Sequence, residues 1–113
     1  MIVRVARARI RQQHEGEVFS ALRRLAESQP ADVDGFSGLT FGRQVLPSGE
    51  VELLAVTYWR DIAAIRRVLG PDWAHIGTVP GVEHVLIEDR VDHYEVVASK
   101  WEQLRDLHAE ATV

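Results

Sequence analysis

One stretch of the chain is apolar along both of its sides: Val51-Glu52-Leu53-Leu54-Ala55-Val56-Thr57-Tyr58-Trp59. Its β-branched and aromatic residues predict a β-strand. Successive side chains of a strand point to opposite faces, so one face carries Val, Leu, Ala, Thr and Trp, and the other carries Glu, Leu, Val and Tyr. An antiparallel sheet with one face in water alternates apolar and polar residues instead. We therefore expect both faces of this strand to be covered.

The two faces need different covers, because the helices of a short chain pack on one face of its sheet. An apolar side chain left in water forgoes about 1.5–3 kcal/mol of burial. That is large against the roughly 5–15 kcal/mol by which a folded domain is stable. We expect a second copy of the same sheet to cover the other face, in a twofold homodimer packed face to face.

The other elements are predicted from hydrophobic spacing and turn residues. In chain order they are a strand over 2–10, a helix over 14–29, a strand over 36–45, the strand over 51–59, a helix capped by Asp61 and ended by Gly70-Pro71, a helical turn over 72–77, a strand over 82–97 and a C-terminal helix from Ser99. Two charged pairs, Glu88-Asp89 and Asp92-His93, predict a bulge or break in the fourth strand. The order βαββαβ with a terminal helix predicts an α+β, ferredoxin-like fold with helices on one face of an antiparallel sheet.

Length and composition exclude several classes of protein. The 113 residues, 46% hydrophobic and 27% charged, predict one folded domain over 1–113. A net charge of −4 argues against a nucleic-acid surface, which needs clustered positive charge. The chain has no cysteine, which excludes disulfides and thiolate metal sites. It has no apolar run that indicates a signal peptide or membrane span, so we expect a cytoplasmic protein with no membrane contact.

Several site motifs are missing or badly spaced. No serine lies in a G-x-S-x-G context, and the chain has no glycine-rich phosphate loop or dinucleotide fingerprint. Hydrolase and nucleotide-dependent activities are therefore not expected. His84 and His93 are an odd number of residues apart, which places them on opposite faces of a regular strand. We therefore expect no metal site.

Four segments carry a family pattern: Pro30…Gly35-Phe36, Val56-Thr57-Tyr58-Trp59-Arg60-Asp61, Gly70-Pro71…His75 and His93-Tyr94-Glu95-Val96-Val97. With the opening strand they span nearly the whole chain, and together they resemble the antibiotic-biosynthesis-monooxygenase-like family. The resemblance implies a homodimeric α+β barrel. Members of that family include cofactor-independent monooxygenases that oxidise polycyclic phenols or quinols with O2, and haem-degrading enzymes.

For the monooxygenase activity, the resemblance implies a pocket between sheet and helices that holds a small aromatic ligand. There the substrate is deprotonated, and its anion passes an electron to O2 without a cofactor. Asparagine, which assists in some members, does not occur in this chain. Another group, such as His75 or Tyr58, would have to orient the phenolate or take the proton.

The candidate catalytic residue is His75, because histidine exchanges protons near neutral pH. The candidate substrate-binding residues are aromatic side chains expected to line the pocket and arginines expected to balance the charge of an anionic substrate. They are Trp59, Tyr58, Trp73, Phe41, Arg7 and Arg9. Trp59 matches the tryptophan that the family has at the end of the third strand. Tyr58 and Trp59 are adjacent and point to opposite faces, so one is expected in the pocket and the other at the partner subunit.

Two alternatives remain open at this point. The first is a non-catalytic ligand-binding or structural dimer of the same fold. The second is haem binding or degradation, since Gly70-Pro71-Asp72-Trp73-Ala74-His75 resembles the segment that carries the proximal histidine in haem-degrading members. A neutral imidazole is a good axial ligand. Those enzymes also use an asparagine on the first strand and a tryptophan within the second helix, and this chain has neither there.

Overall fold

A computed structural model describes residues 1–28, 33–74 and 81–99. The described part contains one antiparallel sheet in the order β2-β3-β1-β4, formed by β1 (Ile2–Ile10), β2 (Phe36–Val45), β3 (Val51–Trp59) and β4 (Glu88–Glu95). Helix α1 (Glu15–Ser28) follows β1, and helix α2 (Ile62–Leu69) follows β3. Short 3₁₀ turns lie at Gln12–His14 and Glu83–Val85. The predicted ferredoxin-like α+β fold is confirmed.

Helix α2 begins and ends at the residues that the sequence predicts. The Asp61 side chain accepts a hydrogen bond of 2.9 Å from the Ala64 backbone N–H, as an N-cap does. This hydrogen bond is the main reason why the pKa of Asp61 lies below its ordinary value. Gly70 ends the helix with φ +85°, a backbone conformation that glycine adopts without strain.

The prediction for the fourth strand was wrong in two respects. A strand over 82–97 was expected, but its first part is a 3₁₀ turn that buries Val82 and Val85 under α1. The strand itself pairs with β1 without interruption, from Ile2 opposite Glu95 to Arg9 opposite Glu88, so the expected bulge is absent from β4. Most charged residues of this edge strand are exposed, and exposed charge on an edge strand disfavours pairing with a further strand. A register shift occurs in β2 instead, between Phe36 and Gly38.

Three predicted elements extend beyond the described residues. The end of the first helix at Gln29 and Pro30 lies outside them, as does the C-terminal helix that starts near Ser99. Of the predicted turn over 72–77, the structure describes the part up to residue 74. Residues 71–74 form a turn. No helix within the described segments is long and apolar enough to cross a membrane.

The helices cover one face of the sheet and leave the other without a helix among the described residues. Both helices pack on the face that carries Ile2, Ile10, Val51 and Trp59, called here the helix side. The opposite face, called here the open face, carries half-buried apolar residues at one end and charged residues at the other. Its inner positions are Val3, Val5, Arg7, Arg9, Glu52, Leu54, Val56 and Tyr58.

Candidate active site

The core on the helix side consists of two hydrophobic clusters. The α1 cluster contains Ile10, Val18, Ala21, Leu22, Val51, Leu53, Val82 and Val85. The α2 cluster contains Trp59, Ala64 and Ile65, with Trp73 and Phe36 packed against it. Between the two clusters, β1 and β3 carry small or polar side chains on this face. The gap between the clusters is therefore where polar side chains lie on the helix side of the sheet.

A polar row crosses the sheet within this gap. Arg4 on β1 lies opposite Thr57 on β3 and opposite His93 on β4, so neighbouring Cβ atoms are about 5 Å apart. The Trp59 indole Nε1 donates a hydrogen bond of 2.8 Å to the Thr57 hydroxyl oxygen, which joins the row to the α2 cluster. Arg4 is only 8% exposed and is the one buried charged side chain of the described segments. The row thus places a cation, a hydroxyl and an imidazole on the helix side.

Burial controls the protonation of this row. It lowers the pKa of Arg4 from its ordinary value, but a guanidinium remains a cation in proteins. The pKa of His93 is also lowered, first by burial and then by the positive charge of Arg4, while Asp92 acts in the opposite direction. The ordinary pKa of histidine is 6.5, so a lowered value leaves His93 neutral at pH 7. Its Nε2 is buried and has no hydrogen-bond partner among the described residues.

Aromatic rings border the row on the α2 side. The Trp73 ring meets the His93 ring edge to face, with centroids 4.9 Å apart and an angle of 75°. Arg66 of α2 lies 5.9 Å from the centroid of the Trp73 ring, within the range of a cation–π contact. Phe36 packs against Trp59 at 5.2 Å. These contacts hold two indoles beside a neutral imidazole, a combination suited to a flat aromatic ligand.

A small apolar pocket of about 30 Å³ lies beside the row, on the α1 side. Ala6, Ala8 and Ala55 line its sheet side, and Leu22 and Phe41 are among the larger residues around it. A cavity that holds benzene measures about 150 Å³, so an aromatic ring enters this pocket only when larger side chains move. The alanines keep the sheet surface low beside the polar row.

The structure brings together only part of the predicted site. Trp59 and Trp73 belong to the same cluster, and Phe41 lies on the same face beside Ala55. Tyr58 lies on the open face, where it pairs with Val3. His75, the predicted catalytic residue, lies outside the described residues.

Arg7 and Arg9 do not face the tryptophans. Both lie on the open face, where Arg7 contacts Asp92 at 3.6 Å and Arg9 contacts Glu88 at 3.0 Å. Arg4 is the cation of the polar row on the helix side. Its opposite parity to Arg7 and Arg9 was a signal of this placement in the sequence.

His93 was weighed as a metal ligand and belongs to one of the segments that carry the family resemblance, but its place beside Arg4 was not predicted. The other histidine of that pair, His84, is exposed in the 3₁₀ turn and lies 3.5 Å from Glu17. In the part of the chain that the structure describes, no cluster of His, Cys, Asp and Glu is arranged to hold a metal ion. No local pattern indicates that His93 lies beside Arg4, because the two residues come from opposite ends of the chain.

With its four-stranded antiparallel sheet and both helices on one face, the chain has a fold similar to that of solved antibiotic biosynthesis monooxygenases. No protein-family model and no curated protein matches the chain. Among solved structures, a proposed antibiotic biosynthesis monooxygenase from Deinococcus radiodurans is similar, with a TM-score of 0.68 and 15% identity over 88% of this chain and 96% of that one.

Two similar structures have a described activity. The haem degrader MhuD from Mycobacterium tuberculosis, solved with two haems in its active site, has a TM-score of 0.62 and 20% identity over 88% of this chain and 99% of that one. A mutant of SnoaB, a cofactor-independent oxygenase from Streptomyces nogalater, has a TM-score of 0.59 and 20% identity over 87% and 94%. At these identities the likeness establishes the fold, and the chemistry depends on the residues of this chain.

Proposed function

We propose that this protein is a monooxygenase-type enzyme that oxidises a small or polycyclic phenol or quinol with O2 and needs no bound cofactor. The observation that carries the proposal is the polar row on the helix side. It places the buried cation Arg4 and the neutral imidazole of His93 next to the indoles of Trp59 and Trp73. The fold shared with SnoaB, a cofactor-independent oxygenase, supports the same chemistry.

The reaction requires little from the protein beyond binding and charge. A phenol oxidised to a quinone provides all the electrons that reduce O2: one oxygen atom enters the ring and the other leaves as water. The reactive species is the phenolate, which is richer in electrons than the phenol. A buried guanidinium stabilises that anion more strongly than water-exposed charge does, because the local dielectric constant is low. Arg4 is placed for this role, and the indoles provide the apolar walls.

Oxygen incorporation tests the proposal. Purified protein is incubated with a panel of phenols and quinols under ¹⁸O2, and the products are examined by mass spectrometry. We expect a quinone product that contains one labelled oxygen atom. Arg4→Met should reduce the rate strongly, whereas the matched variant Arg7→Met on the open face should retain it. If no compound of the panel takes up label, the non-catalytic dimer becomes the better proposal.

Haem is the competing ligand, and one observation favours it. Trp73, which precedes His75 by two residues in the sequence that resembles the haem-ligand segment, packs against the α2 cluster on the helix side. MhuD shares the fold and binds haem. Titration with haemin decides between the two: a Soret shift that is lost in His75→Ala supports haem binding, and no shift excludes it.

We also propose that two copies pair through their open faces. The apolar end of this face leaves Leu54, Val56 and Tyr58 half-buried in one copy, and Tyr94 is 48% exposed. The charged end is balanced, with the three cations Arg7, Arg9 and Arg90 opposed by the three carboxylates Glu52, Glu88 and Asp92. A neutral, partly apolar face suits a second copy better than a charged partner.

A further inference from the structure

We propose that His93 is the catalytic base of this site: its Nε2 takes the hydroxyl proton of the phenol, and the phenolate that forms lies beside the Arg4 guanidinium. The assignment rests on the proposed function, which it deepens by naming the group that generates the reactive anion. Sequence reasoning placed this role on His75. The described geometry assigns it to a histidine on β4 instead.

The position of the imidazole is the first argument. His93 lies directly opposite Arg4 across the β1–β4 pair, with both side chains on the helix side. Its ring is packed edge to face with Trp73, which restricts its orientation. Any ligand bound against Trp73 and Arg4 therefore lies within reach of the imidazole.

The state of its Nε2 is the second argument. This atom is buried, and within the described residues it has no hydrogen-bond partner. A buried polar atom without a partner costs free energy, so such an atom in a native site calls for an explanation. A phenol hydroxyl that donates to Nε2 provides the missing partner. The same hydrogen bond is the starting geometry for proton transfer.

The proton transfer balances in atoms and charge. The phenol O–H bond breaks and an Nε2–H bond forms, which converts a neutral phenol and a neutral imidazole into a phenolate and an imidazolium. Nε2 accepts the proton only when Nδ1 carries the other one, so this tautomer is part of the assignment. The net charge of the pocket is unchanged, and the new anion lies next to Arg4. The cation thus favours the phenolate, while it keeps the free imidazole neutral.

Two charged groups act on the pKa of His93, and two more lie in its surroundings. Burial and Arg4 lower its pKa, and Asp92, which is adjacent on β4, raises it. Arg66 of α2 lies over the ring of Trp73, which in turn contacts His93. Glu95, the next residue of β4 on this face, is exposed. Together these effects leave the pKa of His93 below 6.5, so its imidazole is neutral at pH 7 and can accept a proton. Turnover should therefore fall only in more acidic solution.

The experiment uses the intact protein and 4-nitrophenol, whose phenolate absorbs visible light and whose phenol does not. At a pH one unit below the probe's own pKa, we expect the wild type to bind it as phenolate and His93→Gln to bind it as phenol. His84→Gln, which changes an exposed histidine, should behave as the wild type does. A probe that stays protonated or unbound in the wild type overturns the assignment.

Turnover supplies the second readout. For an oxidised phenol, His93→Gln should lower kcat by roughly 100-fold, the usual contribution of a general base, with little change in KM. The acidic limb of its pH profile should also disappear. An unchanged kcat in His93→Gln sinks the assignment while the proposed function stands. If the probe transfers its proton but no phenol is oxidised, the assignment of His93 as proton acceptor stands and the proposed function falls.

A third measurement does not depend on the variant's folding. In wild-type protein with ¹⁵N-labelled histidine, NMR reports the protonation of each ring nitrogen. Addition of 4-nitrophenol should shift the His93 Nε2 signal from an unprotonated to a protonated nitrogen. If Nε2 already carries its proton in the free protein at pH 7, His93 is not the base.

Discussion

Arg4 and His93 lie opposite each other on β1 and β4, and both side chains point to the helix side of the sheet. The positive charge of Arg4 is one of the causes that lower the pKa of His93. Two residues from opposite ends of the chain therefore share one electrostatic environment.

Removal of the Arg4 charge should raise the pKa of His93. In Arg4→Met one cause of the lowered pKa is gone, while burial of the imidazole remains. The midpoint of the His93 NMR titration should therefore move up toward 6.5. Arg7→Met provides the control, since Arg7 lies on the other face. A midpoint that stays or moves down in Arg4→Met contradicts the electrostatic pairing.

His93 should also make the fold less stable in mild acid. Its pKa is lower in the folded protein than in the unfolded chain, so the unfolded chain binds the proton first as pH falls. The free energy of unfolding should decrease as pH drops below 6.5 and level off below the folded pKa. Urea unfolding at a series of pH values measures this. In His93→Gln this part of the pH dependence should be absent, whereas His84→Gln should retain it.

Gly35→Ala should destabilise the protein by about 2–4 kcal/mol, from backbone strain and overpacking together. Gly35 has φ +85°, and a Cβ there would lie 2.5 Å from the Cβ of Ala64 in α2. Gly49→Ala is the matched control: its φ is +88°, but a Cβ meets nothing within 4 Å. Gly49→Ala should lower the free energy of unfolding by the backbone strain alone, about 1–2 kcal/mol. Equal losses in urea unfolding would show that the contact with α2 is unimportant.

Val56→Glu should separate the proposed dimer into monomers. Val56 lies near the middle of the open face, opposite Val5, and a carboxylate buried there between two sheets lacks a partner. Ala63→Glu introduces the same charge at an exposed position of α2 and should leave the dimer intact. Sedimentation velocity measures the mass of each. A wild-type monomer, or a Val56→Glu dimer, would contradict pairing through this face.

Much of the backbone could be predicted because its signals are local. The Val, Ile and alternating Arg/Ala of 2–10 and the β-branched and aromatic residues of 51–59 predicted β1 and β3 at their observed bounds, and the Asp61 cap and Gly70 predicted the limits of α2. The fourth strand was missed at its start because its apolar pattern continues back to Val82. That residue turns under α1 to join the core, and no local pattern indicates such a contact.

In the candidate site, too, only the features with local signals could be predicted. Residue parity alone separated Trp59 from Tyr58 and Arg4 from Arg7, because side chains of a strand alternate whatever surrounds it. Parity does not say which face the helices cover, and it carries no information on the register between β1 and β4. The packing of α1 and α2 made Arg4 a buried cation, and the pairing of β1 with the edge strand β4 made His93 its neighbour. Burial and long-range pairing are properties of the folded chain, since they arise only when distant segments exclude water together.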